Sequence, residues 1–384
     1  MTAGAGAWLV LLALGARAQG PDALPQQAAA AVDRLAEEQL TKARVPGLSI
    51  AIAFQNRLVY SKGYGIADLE HSVAVTPDTR FRTASVAKPL TAAAVMALAG
   101  EGRLDLDASI RTYCSAWPAN HKTITARQLL GHLAGIRHYQ KSREAVGTTA
   151  YFSIEESLAL FRNDPLLHEP GSSYAYSTYG YSLLGCAIEG ASGQRYADYM
   201  RERVFERAGM ARTRVDFHYD VVPGRASGYM LITEETHRSL PPAAKGVARP
   251  GQIYNASLHD TSMKVPGGGL LSTAEDLVRF GIALNTGTLL RKDIVDAMWT
   301  EQKTSDGRST GYGLGWGVTP AQGGLRRLTH SGNQAGAATL LNVIPEVGVT
   351  VAIMTNLEDF DPGPFSRGIS AILRQHLAGG GGNR

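Results

Sequence analysis

Ser85 and Lys88 stand three residues apart in the run FRTASVAKPLTAAAVMALAGEGRLDLD, which begins at Phe81 as a strand would and continues from Ser85 as a helix would. Side chains at i and i+3 share a helix face, with Cβ atoms about 5–6 Å apart, so the lysine amine can reach the serine hydroxyl. That is the arrangement of a nucleophile beside a base. A serine hydroxyl attacks a carbonyl poorly unless a neighbour takes its proton, and a lysine does this only when deprotonated. Burial and a nearby positive charge would lower its pKa in the required direction. A short S-x-x-K also arises by chance, so the pair needs partners elsewhere in the chain.

Two other segments offer them. YAYSTYGYSLLG carries Tyr176, Ser177 and Thr178, and RRLTHSG carries His330, Ser331 and Gly332 on a strand. Taken singly, Tyr176 reads as one aromatic of a tyrosine-rich loop with Tyr174, Tyr179 and Tyr181. His330 alone reads as a hydrogen-bonded structural histidine. In this order and spacing, however, the three segments together resemble the serine β-lactamase and penicillin-binding-protein superfamily, and most of all its class C β-lactamase-like hydrolases. The resemblance runs from about residue 30 to about residue 375 and includes ITARQLLGHLAGIRHY, VPGGGLLSTAEDLVRFG and YGLGW. Within it, GIRHY and YSTYGYSLL look most like the mitochondrial β-lactamase-like serine protease branch and its bacterial relatives.

The resemblance implies a serine hydrolase that forms an acyl-enzyme on Ser85 and cleaves ester or amide bonds, in a peptide or a β-lactam. It makes Tyr176 the second proton-handling group beside Ser85, and leaves open whether Lys88 or Tyr176 is the base. Their titrations would be coupled. Ser85 at a helix start can turn its own backbone N–H toward a developing oxyanion. The resemblance makes the backbone N–H of Asn333 the second donor, with Thr178, Ser331 and Gly332 along the substrate.

Three positions depart from the pattern. His330 stands where many relatives carry lysine, and a histidine is neutral for much of the time at pH 7. That favours esterase or peptidase activity over an efficient, carboxylate-selective β-lactamase. Thr178 stands where β-lactamases usually have asparagine, and its hydroxyl offers a single donor and a shorter reach. Pro89 would leave the Ser85 carbonyl without its helical partner if the helix began at Ser85. Two alternatives stay open: a non-catalytic or filament-forming scaffold, and a β-lactam sensor that is acylated without turnover.

The elements that must position these residues are legible in outline. QQAAAAVDRLAEEQLTKARVPG reads as an amphipathic helix ending before Pro46-Gly47, and LSIAIAFQ and RLVYSKGYGIADLE as a hairpin about Asn56. Helix signals dominate from about Thr125 to Met210, with Ser153-x-x-Glu156 as a capping box. A polar stretch from Thr233 to Pro266 reads as a long loop or edge flap. Ser272-x-x-Glu275 is expected to cap the next helix, and Gly267, Gly268 and Gly269 to allow close backbone packing before it. The last third reads as short antiparallel strands and a closing helix, PFSRGISAILRQHLA. The expected fold is mixed α/β (α+β): an antiparallel sheet built from both ends of the chain, flanked by helices, with a mainly helical lobe inserted. The α/β lobe would take residues 25–105 and 265–378, the helical lobe 106–264, and GGGGNR at 379–384 would be a disordered tail.

Composition bounds the rest. The chain is 44% apolar and 19% charged with a net charge of +4, and its basic residues are scattered, which argues against nucleic acid as a partner. The expected partner is a small molecule or peptide with an electrophilic carbonyl; oligomeric state is open. Residues 1–18 read as a secretory signal without a basic n-region, placing the mature protein in a periplasmic or extracellular compartment. Its apolar run is shorter than the roughly 20 residues that span a bilayer. Cys114 and Cys186 could pair in an oxidising compartment, but Cys186 lies in an apolar helix and is more simply read as a small buried hydrophobe. No C-x-x-C or H-E-x-x-H occurs, and no metal or cofactor is expected. His132 and His138, six apart, do not share a helix face for a metal.

Overall fold

The computed structural model describes residues 23–377, apart from 141–143, 145 and 241. The expected signal segment 1–18 and tail 379–384 lie outside the described residues. In chain order the strands are β1 (Gly47–Phe54), β2 (Arg57–Asp68), β3 (Val73–Ala74), β4 (Phe81–Arg82), β5 (Arg214–Val215) and β6 (Tyr229–Leu231). They continue with β7 (Ile253–Asn255), β8 (Leu270–Ser272), β9 (Gly317–Pro320), β10 (Arg326–Gln334), β11 (Ala337–Ile344) and β12 (Val349–Thr355). The main sheet has seven antiparallel strands in the order β3-β2-β1-β12-β11-β10-β9. Both ends of the chain therefore meet at the β1–β12 pair, as the fold class expected.

This sheet is covered on both faces, and the period of two along its strands shows how. In β1, Leu48, Ile50 and Ile52 join a core with Val32, Phe365 and Ile369 from the Gln26–Lys42 and Pro362–Leu377 helices. The alternate residues Ala51 and Ala53 belong to the larger core, with Leu90 and Val95 of the Ala87–Gly100 helix and Leu277 and Phe280 of the Ala274–Asn285 helix. The β1–β2 hairpin turns through Gln55 and Asn56 at φ 51° and 59°, the two positive values that a two-residue turn of the twist-matched kind requires.

Several local expectations are sharpened or corrected. Ser153 caps its helix, but Glu156 reaches back to the N–H of Phe152 rather than closing a reciprocal box with Ser153. The cap of the Ala274–Asn285 helix is Thr273, accepting from the N–H of Asp276, because Ser272 is still paired in β8. Between Thr233 and Pro266 the chain is not one loop; it holds the short helices Glu234–Ser239 and Pro242–Lys245, and β7 returns to pair with β6.

Cys114 and Cys186 form a disulfide, with Cα atoms 5.5 Å apart. Reading Cys186 as a lone small hydrophobe was therefore wrong. The reason lies one turn away: at Gly190 a Cβ would stand 1.8 Å from the Tyr113 carbonyl oxygen, so the absent side chain lets the 110–114 segment lie directly on the helix. Periodicity within one element carries no trace of that approach.

Candidate active site

The turn that presents Ser85 is built under constraint. β4 pairs with β8 and delivers the chain into a 3-10 turn at Ala84–Val86, and the α-helix begins at Ala87 rather than at Ser85. Pro89 then falls in the first helical turn, where no intrahelical acceptor awaits its missing N–H. Ala84 adopts φ 46°, left-handed backbone that costs a residue with a Cβ about 1 kcal/mol or more. Gly332 of β10 holds it there: a Cβ at Gly332 would meet the Ser85 nitrogen at 2.6 Å and the Ala84 Cβ at 2.8 Å. Ser85 and the Gly332–Asn333 segment are thus in direct contact, which brings together the first and third segments of the sequence pattern.

Lys88 is fully buried, and its amine lies 3.1 Å from Ser85 Oγ, 3.1 Å from Thr178 Oγ1 and 2.8 Å from the Gly267 carbonyl oxygen. None of these partners carries a charge. Burial drives its pKa well below the ordinary lysine value, helped by the positive charge of Lys264. A neutral amine has two N–H donors and one lone pair. With the donors directed to Gly267 and Thr178, the lone pair is left for the Ser85 hydroxyl. The glycine run has the role that the sequence suggested, since a Cβ at Gly267 would stand 2.6 Å from Thr178 Cγ2.

Tyr176 precedes Ser177, the N-cap of the Thr178–Ser192 helix, whose hydroxyl accepts from the Gly180 N–H and donates to the Arg137 carbonyl. The Lys88 amine lies 4.8 Å from the centre of the Tyr176 ring. Burial pushes the Tyr176 hydroxyl above its ordinary pKa, against the pull of its hydrogen bond with Ser85. The resting group is therefore a protonated phenol, a proton donor rather than a phenolate base.

Two histidines hold this turn. Nδ1 of His132 accepts from the Ser177 N–H at 3.2 Å, and Nδ1 of His138 accepts from the Thr178 N–H at 3.3 Å. Only neutral imidazoles can accept, and burial lowers both pKa values, that of His138 to about 4. Their rings lie 4.4 and 5.5 Å from that of Tyr176. The helix-face test applied to them from sequence was the wrong one, because the chain between them is not helical.

On β10, His330 and Gly332 point inward and Ser331 and Asn333 outward, by strand alternation. Nδ1 of His330 meets the Ser331 carbonyl at 2.7 Å, so that nitrogen carries the proton, and Nε2 accepts from the Tyr312 hydroxyl at 2.9 Å. Burial depresses its pKa to about 3. His330 is thus engaged by Tyr312 and not by Tyr176, whose ring centre is 6.4 Å away. The exposed Ser331 side chain lies outside the cluster around Lys88. β9 leaves β10 after Thr329, so the 330–334 segment is paired with β11 on one edge and has no β9 partner on the other. A reciprocal pair with Asp359 fixes Asn333: its Nδ2 donates at 3.0 Å and its Oδ1 accepts from the Asp359 N–H at 3.3 Å.

Sequence reasoning missed Tyr312, His132, His138, Tyr139 and Lys264 as parts of this site. YGLGW and GHLAGIRHY carried four of them as signals of resemblance without a role, and nothing around Lys264 marked it. Assembled, the site sets the Ser85 hydroxyl between a buried amine whose pKa is lowered and a phenol whose pKa is raised, with Gly332 of β10 packed against the Ser85 backbone.

Comparison with known proteins identifies the family and the fold. The family model described as Beta-lactamase matches residues 32–373. The mitochondrial serine beta-lactamase-like protein LACTB of Homo sapiens is 27% identical over 419 residues, covering 82% of this chain and 74% of that protein. The octameric penicillin-binding protein homologue from Pyrococcus abyssi superposes with a TM-score of 0.73 at 26% identity, over 90% of this chain and 77% of that one. The D-amino acid amidase of Ochrobactrum anthropi, complexed with L-phenylalanine amide, shares the fold with a TM-score of 0.74 at 24% identity, over 92% and 98%. The chain belongs to the β-lactamase family, within the serine hydrolase-like superfamily.

Proposed function

We propose that the protein is a serine hydrolase that acylates Ser85 and cleaves ester or amide bonds, with esterase or peptidase activity ahead of efficient β-lactam turnover. The observation that carries this reading is the buried Lys88 amine at 3.1 Å from Ser85 Oγ with no charged partner. Ser85 Oγ attacks the substrate carbonyl while its proton passes to Lys88, and the carbonyl oxygen, now an oxyanion, takes hydrogen bonds from the N–H groups of Ser85 and Asn333. Losing one such donor typically costs about 10²–10³ in rate. The proton then reaches the leaving alkoxide or amine through the Tyr176 hydroxyl, and the carbon–leaving-group bond breaks. Water attacks the acyl-enzyme by the same route and restores Ser85. A neutral His330 where many relatives carry lysine supports the preference for substrates without a carboxylate on that side. The disulfide suits an exported protein.

The test is intact mass of the purified protein after brief exposure to a p-nitrophenyl ester and, separately, a penicillin, beside Ser85→Ala. An adduct or product release in the wild type and not in Ser85→Ala supports the reading. Equal behaviour of the two proteins, or no adduct and no turnover with either compound, counts against it and favours the scaffold alternative.

A further inference from the structure

Attack by Ser85 leaves its proton on Lys88, and the leaving group then takes one from Tyr176. Among the described residues, however, no hydrogen bond joins the Lys88 amine to the Tyr176 hydroxyl; its partners are Ser85 Oγ, Thr178 Oγ1 and the Gly267 carbonyl oxygen. A carbonyl accepts a hydrogen bond but has no proton to pass on. Ser85 Oγ, once bonded to the substrate carbon, has none either. The Thr178 hydroxyl is the partner that remains, and a hydroxyl both accepts and donates.

The resemblance placed Thr178 along the substrate, but only 3% of the residue is exposed and its side chain is spent inside the site. Its methyl group faces Gly267, where a Cβ would stand 2.6 Å from Thr178 Cγ2. Its backbone N–H donates to Nδ1 of His138 at 3.3 Å. These two contacts fix the side chain with Oγ1 at 3.1 Å from the Lys88 amine. The same hydroxyl is bonded to those of Tyr176 and Tyr139. Burial raises the pKa of both phenols, so Tyr139 already holds its proton and is no sink for another, while Tyr176 holds one ready to donate.

We infer that the Thr178 hydroxyl carries the proton from Lys88 to Tyr176, which makes this threonine a catalytic residue of the leaving-group step. The inference rests on Ser85 as the acylated residue. As the carbon–leaving-group bond breaks, its electron pair takes the Tyr176 proton, the Tyr176 oxygen takes the Thr178 proton, and the Thr178 oxygen takes one from the Lys88 ammonium. One proton has moved from Lys88 to the leaving alkoxide or amine, and both hydroxyls end as they began. The asparagine that β-lactamases usually have here could accept from the lysine, but its amide has no hydroxyl proton to hand on.

The experiment measures kcat/KM for the p-nitrophenyl, phenyl, trifluoroethyl and ethyl esters of acetic acid, which form one acyl-enzyme and differ in the basicity of the group released. p-Nitrophenolate departs without a proton, and ethoxide does not. The wild type should therefore depend only weakly on the leaving group. Thr178→Val keeps the side-chain shape and should lose about 10²-fold on ethyl acetate, with a far smaller change on p-nitrophenyl acetate, which reports an intact Ser85–Lys88 pair. Thr178→Ser, which keeps the hydroxyl, should restore the ethyl ester. The relay alone is overturned by an equal loss on all four esters in Thr178→Val, by no loss on any, by a wild type as steep in leaving group as Thr178→Val, or by a Thr178→Ser variant equally steep. A wild type that cleaves none of the esters, or that Ser85→Ala matches, overturns Ser85 as the nucleophile and the relay with it.

Discussion

Two clusters of wholly or partly buried tyrosines in this fold sit beside a lysine, on opposite faces of the same sheet, and a carboxylate separates their chemistry. In the first, Asp33 accepts from Tyr60 and from Tyr64, and Lys62 reaches the same oxygen at 3.0 Å from a half-exposed position. Partial burial works against the Asp33 carboxylate, but hydrogen bonds from Tyr60, Tyr64 and Lys62 hold its pKa below the ordinary value. Both hydroxyls and the Lys62 amine there share the Asp33 carboxylate as acceptor. In the second, Lys88 is surrounded by Tyr176 and Tyr181, a serine, a threonine and a carbonyl, with no carboxylate among its hydrogen-bond partners. The first arrangement stabilises a charged state and stays put. The second makes the charged state of the amine costly, and an amine that has lost its proton can take one from a serine.

The sharpest way to break this comparison is Lys88→Met. Removing the base should lower ester turnover by about 10²–10⁴-fold, while denaturant unfolding shifts by no more than about 1 kcal/mol, since only neutral hydrogen bonds are lost. Tyr176→Phe should cost turnover about 10²-fold, with the larger part in kcat rather than KM, because the phenol handles the leaving group's proton. Steady-state kinetics separates the two parameters.

In the other cluster the effects fall on stability and leave turnover unchanged. Asp33→Ala strips the acceptor from two tyrosine hydroxyls and should destabilise the fold by about 1–3 kcal/mol. The pH dependence gives a finer test. With its folded pKa below the ordinary 3.8, Asp33 contributes stability that is present above that value and lost as pH falls through the folded one. Urea midpoints between pH 5 and 3 should fall less steeply in Asp33→Ala than in the wild type. Lys88 and Lys264 act in a different window. Their folded pKa values lie below 10.5, so the unfolded chain binds more protons and their contribution to stability rises with pH, for Lys264 above about pH 7. Urea midpoints between pH 7 and 9 should climb less in Lys264→Met. Lys62→Met is the smallest change: an exposed pair of this kind is worth about 0–1 kcal/mol, and turnover should stay the same.

The same contrast explains how much of the molecule was legible beforehand. Ser85 and Lys88 lie within one turn of each other, so their proximity is a local property of the chain and could be read from spacing alone. The sheet assembled from both termini followed from strand periodicity at each end. His330 was found, but its partner was not, because Tyr312 reaches it from a segment with no regular spacing to β10. His132 and His138 were judged as a possible helix-face pair, yet they act across a non-helical loop on the N–H groups of Ser177 and Thr178. The approach of the 110–114 segment that brings Cys114 to Cys186 depends on Gly190, and the approach of β10 to the Ser85 backbone depends on Gly332; both are consequences of a missing Cβ in another element. Contacts made by absence leave no periodic signal.

The central claim is that Lys88 gives up its proton well below the pH at which an ordinary lysine does, because it is buried without a carboxylate among its hydrogen-bond partners. The most direct test is the single-turnover rate of Ser85 acylation by a p-nitrophenyl ester, followed from pH 5 to 10.5. The account predicts a rate that reaches its plateau well below the pH at which an ordinary lysine titrates, with Lys88→Met flat and slow throughout. A rate that instead rises about tenfold per pH unit up to pH 10 would show an amine with the ordinary lysine pKa, and would contradict the account.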